Sequence, residues 1–332
     1  MSNEAQSRPP GTEYEGKAFT FHQIHESVYI AIGTGNLVVA SNGAIVINDD
    51  DVLLVDTHIS PASAWALREE MKEVTDKPVR YVVNTHFHFD HAHGNQIYGP
   101  EVEIIGHEFT RDMIVAGESK GGKTYNTMMA GLPQAISGLK AQVADTSDQT
   151  ARAELERQLH IQENYAVASD SVDATPPTIT LTDQLSLFRG GREIRMIFLG
   201  RAHTGGDVVV HLPEERILIT GDLIVDGAPY MGDGYLMDWA ATLDNLKSLD
   251  FDVILPGHGQ PLRGKSHVDD LQEFVVDLLS KITESHKAGV PADQAAQSID
   301  MLAHSKNFPS IVEVGVDLSA VERAYELFDQ EG

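Results

Sequence analysis

Short apolar runs, each bounded by Gly, Asn, Asp or Ser, open the chain. AFTFHQI, SVYIAIG, NLVVAS, AIVIND and VLLVD, between about residues 18 and 56, read as strands. Asn42-Gly43 between two of them predicts a hairpin turn. A helix follows: Ser60 caps it, Pro61 suits its first position, and Ala64, Leu67, Met71 and Val74 recur at spacings of 3, 4 and 3. RYVVNT reads as a buried strand and VEIIG at 102–106 as another, so an α/β layer succeeds the meander. The stretch from about 107 to 170 is polar, rich in Ala, Gln and Glu and helical in pattern, with a Gly-Gly break at 121–122. It reads as a helical insertion or lid, with Met113, Met128, Met129 and Leu132 as candidates for shaping specificity. Strands resume with TITL, QLSLF, REIRMIFLG, DVVVHL and RILITGD. Asp238 begins a helix with Trp239, Leu243, Leu246 and Leu249 on one face, and DVILPGHG is a further strand ending in a loop. A long helix carries Val268, Leu271, Phe274, Val275, Leu278, Leu279 and Ile282 at helical spacing, and Gly289 and Pro291 end it. The last helix opens with a capping box, Ser319 and Glu322, and ends near Phe328.

This order predicts a mixed α/β (α+β) fold. Two sheets packed face to face with helices outside each would satisfy it, with the helical insertion and the C-terminal helices added. Near-continuous apolar runs such as ILIT and DVVV suit strands covered on both faces. The expected organisation is a polar, disordered lead-in over 1–17, one domain over 18–265, and C-terminal helices over 266–332 packed on it.

Composition changes this picture by exclusion. Acidic residues number 50 against 24 basic ones, a formal charge of −26, which opposes nucleic acid and acidic lipid surfaces as partners. With no cysteine, disulfides, thiolate ligands and Cys nucleophiles are excluded. No window has the apolar length of a signal peptide or a membrane span. The expectation is a cytoplasmic protein acting on a small-molecule substrate, without nucleic acid or membrane partners; a periplasmic origin with the leader removed and the oligomeric state stay open.

The informative segment is Thr85-His86-Phe87-His88-Phe89-Asp90-His91-Ala92-His93-Gly94-Asn95, directly after an apolar strand. Three imidazoles and a carboxylate within six residues are costly to bury unless something satisfies them, and a divalent cation does so. In an extended or tightly turned chain positions i and i+2 share a side, so His86 and His88 suit one metal, leaving Asp90 and His91 for a second. Further donors stand at ends of apolar strands, each beside glycine: His203 after REIRMIFLGRA, Asp222 after RILITG and His258 after DVILPG.

The series THFHFDH, GRAHTGGD, ITGD and PGHG resembles the metallo-β-lactamase superfamily in motif and in order, and Asp56 at the end of VLLVD matches its first motif. The resemblance covers roughly residues 20–265 apart from the helical insertion. It implies a four-layer αββα sandwich of two mixed sheets flanked by helices. It implies that His86, His88 and His203 bind one metal, that Asp90, His91 and His258 bind the other, and that Asp222 bridges them. Asp56 is then the residue that holds a ligand or loop N–H in place. Imidazole and carboxylate donors without sulfur suit two Zn(II), and Fe(II) or Mn(II) also fit. His at position 88 favours zinc, because di-iron relatives carry Glu there.

On this resemblance Asp90, His203 and Asp222 surround the reaction. Water shared by two cations loses a proton near neutral pH, and the hydroxide attacks a lactam, lactone, ester or thioester carbonyl. Family branches differ in ways this chain registers. The Cys ligand, and the Lys three residues after it, of one lactamase branch are replaced by Asp222 and Val225, which argues against efficient β-lactam hydrolysis while leaving weak activity open. The Gly-Cys-Gly-Arg run of glyoxalase-II-type thioesterases is absent from GDLIVDGAPYMGDG. A small-nucleotide phosphodiesterase and a mononuclear iron thiol dioxygenase are the alternatives. His58, His93, Tyr230 and Tyr235, with Met231, are candidate substrate contacts because they stand in loops near the ligands.

Overall fold

The computed structural model describes residues 8–331. They divide into two compact units, one made of the chain up to residue 106 with 110–180, the other of 107–109 with 181 onward. Among these residues no helix is long and apolar enough to cross a membrane.

The first unit is built on a seven-stranded mixed sheet. Its elements are β1 (Phe19–His25), β2 (Val28–Gly33), β3 (Gly43–Ile47), β4 (Val52–Val55), α1 (Pro61–Glu70), β5 (Val79–Val83), α2 (Phe89–Ala92), β6 (Glu103–His107), α3 (Glu108–Val115), α4 (Glu118–Gly121), α5 (Lys123–Asp145), α6 (Gln149–Asp170) and β7 (Ile179–Leu181). The strands lie in sequence order, β1 to β7. β1 to β4 pair antiparallel, and β4, β5 and β6 pair parallel. α1 forms because Ser60 and Ser63 cap it reciprocally and Pro61 pre-sets its first turn. It buries Ala64, Leu67 and neighbouring Met71 against Ile45, Leu54 and Val82. Leu67 and Met71 each contribute about 1.5–3 kcal/mol on leaving water. β4 ends at Val55 with Asp56 next, and β5 ends at Val83 with Asn84 next, so the C-terminal end of β5 delivers the chain to the histidine-rich loop.

The second unit has a six-stranded mixed sheet of order β13-β12-β11-β10-β9-β8. Its elements are β8 (Gln184–Arg189), β9 (Arg192–Phe198), β10 (Val208–Leu212), β11 (Ile217–Gly221), α7 (Leu236–Lys247), β12 (Val253–Pro256), β13 (Leu262–Arg263), α8 (Ser266–Lys287), α9 (Ala292–Ser298) and α10 (Leu318–Glu331). Only β11 and β12 pair parallel. Trp239, Leu243 and Leu246 of α7 and Val268, Leu271 and Val275 of α8 share a core with Val209, Leu218 and Ile254, and α10 adds Val321 and Ala324. The molecule is thus a mixed α/β protein with two mixed sheets, each flanked by helices.

Several local expectations are corrected. Asn42-Gly43 is not a hairpin turn: β3 pairs with β2, Ala31 opposite Gly43, and residues 34–42 form the connecting loop. NLVVAS looked like a strand because Leu37 and Val39 are buried, but they enter the core from a loop in which Ala40 is left-handed (φ 66°). α7 begins at Leu236, two residues before Asp238. In α10 the cap is Asp317, which accepts from the Ser319 N–H (2.9 Å) and hydroxyl (2.5 Å), so Ser319 is not the capping residue. The helix also passes Phe328 to reach Glu331. Of the disordered lead-in expected over 1–17, residues 1–7 lie outside the described residues. Residues 8–17 make specific contacts instead: Tyr14 donates to Glu70 at 2.7 Å, and the Glu13 carbonyl accepts from Asn164. Their polar sequence hides this, because the partners are about 55 and 150 residues away.

Candidate metal centre

In the first unit β5 ends at Val83, the chain bends over 85–87, and His88 is extended (φ −60°, ψ 148°) just before the single turn of α2. The segment before the turn carries His86, in the bend, and His88, and their ring centroids are 4.7 Å apart; the turn carries Asp90 and His91. The turn brings the His91 ring to 4.2 Å from that of His86. His91 Nε2 stands 3.5 Å from Asp90 Oδ2. All four side chains are buried.

A layer of polar groups fixes this loop from behind. Asp56, buried and left-handed (φ 63°), accepts from the Thr85 N–H and hydroxyl (2.8 Å each) and from His91 Nδ1 (2.7 Å). That bond leaves His91 Nε2 as the nitrogen available to a cation. Burial pushes the Asp56 carboxyl up, and the bonds from His91 and Thr85 oppose it. The His91 carbonyl accepts from Thr57 N–H (2.8 Å), and Asn84 and Asn95 pair through their amides at 2.8 and 3.1 Å. Ser41 donates to the Asp90 carbonyl at 2.5 Å. Sequence reading missed Ser41, Thr57 and Asn84. The signal was present for the last two, since VLLVDTH and RYVVNTH each carry a polar residue at the end of an apolar strand.

In the second unit the three donors stand on separate strand ends. Asp222 follows β11, and its Oδ2 lies 3.7 Å from His203 Nε2 and 3.2 Å from His258 Nε2. His203 Nδ1 donates to the Tyr230 carbonyl at 2.9 Å, which directs Nε2 toward Asp222. The His203 ring meets Trp239 edge-on at 6.1 Å. Gly257 lets β12 and its loop approach: a Cβ there would meet Asp222 Oδ1 at 2.0 Å. His203 and Asp222 are buried and His258 is half-buried. Each unit therefore presents buried imidazole nitrogens and carboxylate oxygens within reach of one another, a donor set that fits hard or borderline divalent cations.

The candidate substrate contacts have specific partners. His58 is buried, left-handed (φ 65°), 3.3 Å from the Ser41 hydroxyl and beside the Phe19 ring (4.9 Å); burial pushes its imidazole down to about 3. His93 is buried with Nε2 on the Ser119 carbonyl (2.9 Å), and burial pushes it down to about 4. Tyr230 offers its carbonyl to His203. Tyr235 carries two guanidinium groups over its ring, Arg201 at 4.5 Å and Arg323 at 4.9 Å. In the insertion, Leu132, Met128 and Met129 pack with Tyr165, Ile59 and Phe89.

A family model described as metallo-beta-lactamase superfamily matches residues 37–107 and 134–258, more than half of the chain. The linear primary-alkylsulfatase of Pseudomonas sp. (strain ATCC 19151) is 24% identical over 275 residues, covering 77% of this chain and 49% of that protein. The 2,4-dinitroanisole O-demethylase subunit alpha of Nocardioides sp. (strain JS1661) is 23% identical, covering 75% and 61%. This chain thus spans about half to three fifths of the length of those two relatives. Metallo-beta-lactamase type 2 of Bacillus sp. (strain 170) is 23% identical, covering 74% and 78%. Among solved structures, a metallo-beta-lactamase from Pontibacter korlensis superposes with a TM-score of 0.54 at 21% identity, covering 77% of this chain and 99% of that one. The DIM-1 metallo-beta-lactamase superposes with a TM-score of 0.54 at 17% identity, covering 78% and 98%. These two likenesses bear on the fold. Together with the His and Asp groups above, the family match points to a divalent-metal site in a metallo-hydrolase scaffold. The chain belongs to the metallo-β-lactamase superfamily.

Proposed function

We propose that the chain is a hydrolase working with two divalent cations, zinc being the favoured pair. His86, His88 and His203 hold one; Asp90, His91 and His258 hold the other; Asp222 is shared. The observation that carries this reading is Asp222, one of whose carboxylate oxygens stands 3.7 Å from the His203 Nε2 and 3.2 Å from the His258 Nε2. Such cations supply Lewis acidity when bound and bring the pKa of water toward neutrality. Asp90, beside His91, would orient the attacking water while also serving as a ligand. Tyr230 fixes His203 in the tautomer that presents Nε2. Asp56 does the same for His91. No Ser or Cys nucleophile is needed.

The substrate class proposed is a small molecule with a carbonyl ester, lactone, lactam or thioester, with weak β-lactamase activity included. The names of the relatives add alkyl sulfate and 2,4-dinitroanisole to the bonds worth testing. The test joins metal analysis to a hydrolysis panel: a chromogenic cephalosporin, a homoserine lactone, a thioester, an alkyl sulfate, 2,4-dinitroanisole and a bis-aryl phosphate. We expect about two zinc per chain and, for His88→Ala or Asp222→Ala, a loss of at least about a hundredfold in turnover in a folded chain. Full turnover by metal-stripped protein in excess chelator would refute the reading.

A further inference from the structure

The residues that follow α2 reach away from the donors and into the helical insertion. The His93 side chain is 1% exposed, and its Nε2 lies 2.9 Å from the carbonyl oxygen of Ser119 in α4. A carbonyl only accepts, so Nε2 carries the proton and donates it. Asn95 Nδ2 donates to the Thr175 carbonyl at 2.8 Å. Gln96 Nε2 donates to the Ser171 carbonyl at 3.0 Å, and its Oε1 accepts from the Asp173 N–H at 2.6 Å. The beginning of the insertion and its exit are both fastened to the short segment leaving α2. Two rings seat the same turn. Phe89, between His88 and Asp90 in sequence, lies 5.4 Å from the Tyr125 ring of α5 and packs against Leu132 and Met128. Tyr125 in turn meets the His93 ring edge-on at 5.3 Å.

We infer that His93 is a positioning residue: its hydrogen bond to the Ser119 carbonyl, backed by Tyr125, fixes the turn that presents Asp90 and His91, so that the helical insertion sets the geometry of those two donors. The inference rests on the metal-centre reading above. It changes the expected role of two features. His93 acts from behind the donors rather than on substrate, and the insertion is a strap held at both ends rather than a hinged cover. One turn of four residues has too few internal hydrogen bonds to hold itself, so its orientation must come from outside contacts.

The test uses side chains that separate the hydrogen bond from bulk. In His93→Gln the amide nitrogen takes the place of Nε2 and keeps the donor; in His93→Asn the amide ends closer to the backbone and does not reach Ser119. Each variant is stripped, loaded with Co(II), and read by visible absorption and by chelator competition. We expect His93→Asn to shift the cobalt bands and weaken one of the two ions by about 10–100-fold, and His93→Gln to stay near the parent. Tyr125→Leu, which keeps apolar bulk but removes the ring edge, should shift the bands in the same direction, and it carries the test alone if His93→Asn does not fold. Bands and affinity unchanged in folded His93→Asn, or in Tyr125→Leu if only that variant folds, would overturn the proposal. His88→Ala is the control that separates the two ideas: if it too binds cobalt like the parent, the metal-centre reading itself fails, whereas if it alone loses cobalt, only the positioning role of His93 falls.

Discussion

Replacing Gly94 by alanine adds a methyl carbon 2.0 Å from the Thr57 carbonyl oxygen, 2.4 Å from Ala64 Cβ and 3.0 Å from the Thr57 carbonyl carbon. Carbon contacts settle at about 3.5–4.0 Å, so the two backbones must part by about 1 Å or more. Neither neighbour can yield as a side-chain tip would, since one is a carbonyl and the other a Cβ on α1. The same approach carries the bond from Thr57 N–H to the His91 carbonyl (2.8 Å) and from the Thr57 hydroxyl to Asn95 (2.9 Å). Overpacking costs about 1–3 kcal/mol, and a buried hydrogen bond left half-made about 1–3 kcal/mol more. A loss of about 2–6 kcal/mol is expected for Gly94→Ala, measured as a lower urea midpoint at unchanged slope in metal-stripped protein. Because Thr57 pins the backbone of His91, divalent-cation affinity by chelator competition should also fall by about tenfold or more. A variant whose midpoint and cation affinity both match the parent would refute the claim that Gly94 is there for backbone approach.

Three further outcomes follow from the same geometry. Gly131 lies inside α5 with nothing within 4 Å of an added Cβ, so Gly131→Ala should stabilise by about 0.5–1 kcal/mol and raise Tm; a lower Tm would contradict the open environment. His58 is held at about 3 against 6.5 when solvated, so as pH falls the unfolded chain takes the proton first and stability drops across that window. By pH 4.5 the loss is about 2–3 kcal/mol in metal-free protein. His58→Asn, which tolerates the left-handed backbone, should flatten that part of the curve, and an identical slope would exclude His58 as the source. Glu70 accepts from the Tyr14 hydroxyl (2.7 Å) and from the N–H groups of Ala18 (2.8 Å) and Phe19 (3.0 Å). An amide offers a single acceptor oxygen, so Glu70→Gln should cost about 1–3 kcal/mol and speed hydrogen exchange at those two amides; unchanged exchange would remove the anchoring role.

Strong local signals were legible without coordinates. Ser60 and Pro61 announced α1, and the spacing of Val268, Leu271, Val275 and Leu278 announced α8, because capping and helical period act within a few residues. The motif order from Asp56 to His258 was enough to state a family resemblance, and the family match agrees with it. The polar layer behind the donors was less legible. Asn84, Asn95 and Thr57 are ordinary residues by type, and their meaning comes from being buried together.

The amino-acid sequence by itself determined the element types wherever period and caps agree, the chemical nature of the candidate donors, and the absence of cysteine sulfur from them. Tertiary structure alone decided that NLVVAS is a loop burying Leu37 and Val39 and that β7 joins the sheet of β1 to β6. It alone decided that Asp317 rather than Ser319 caps α10, and that His93 faces Ser119. The physical reason is range. Helical period and apolar runs are set by neighbours a turn away, whereas strand pairing, burial and the partner of a buried imidazole depend on residues that chain proximity does not reveal.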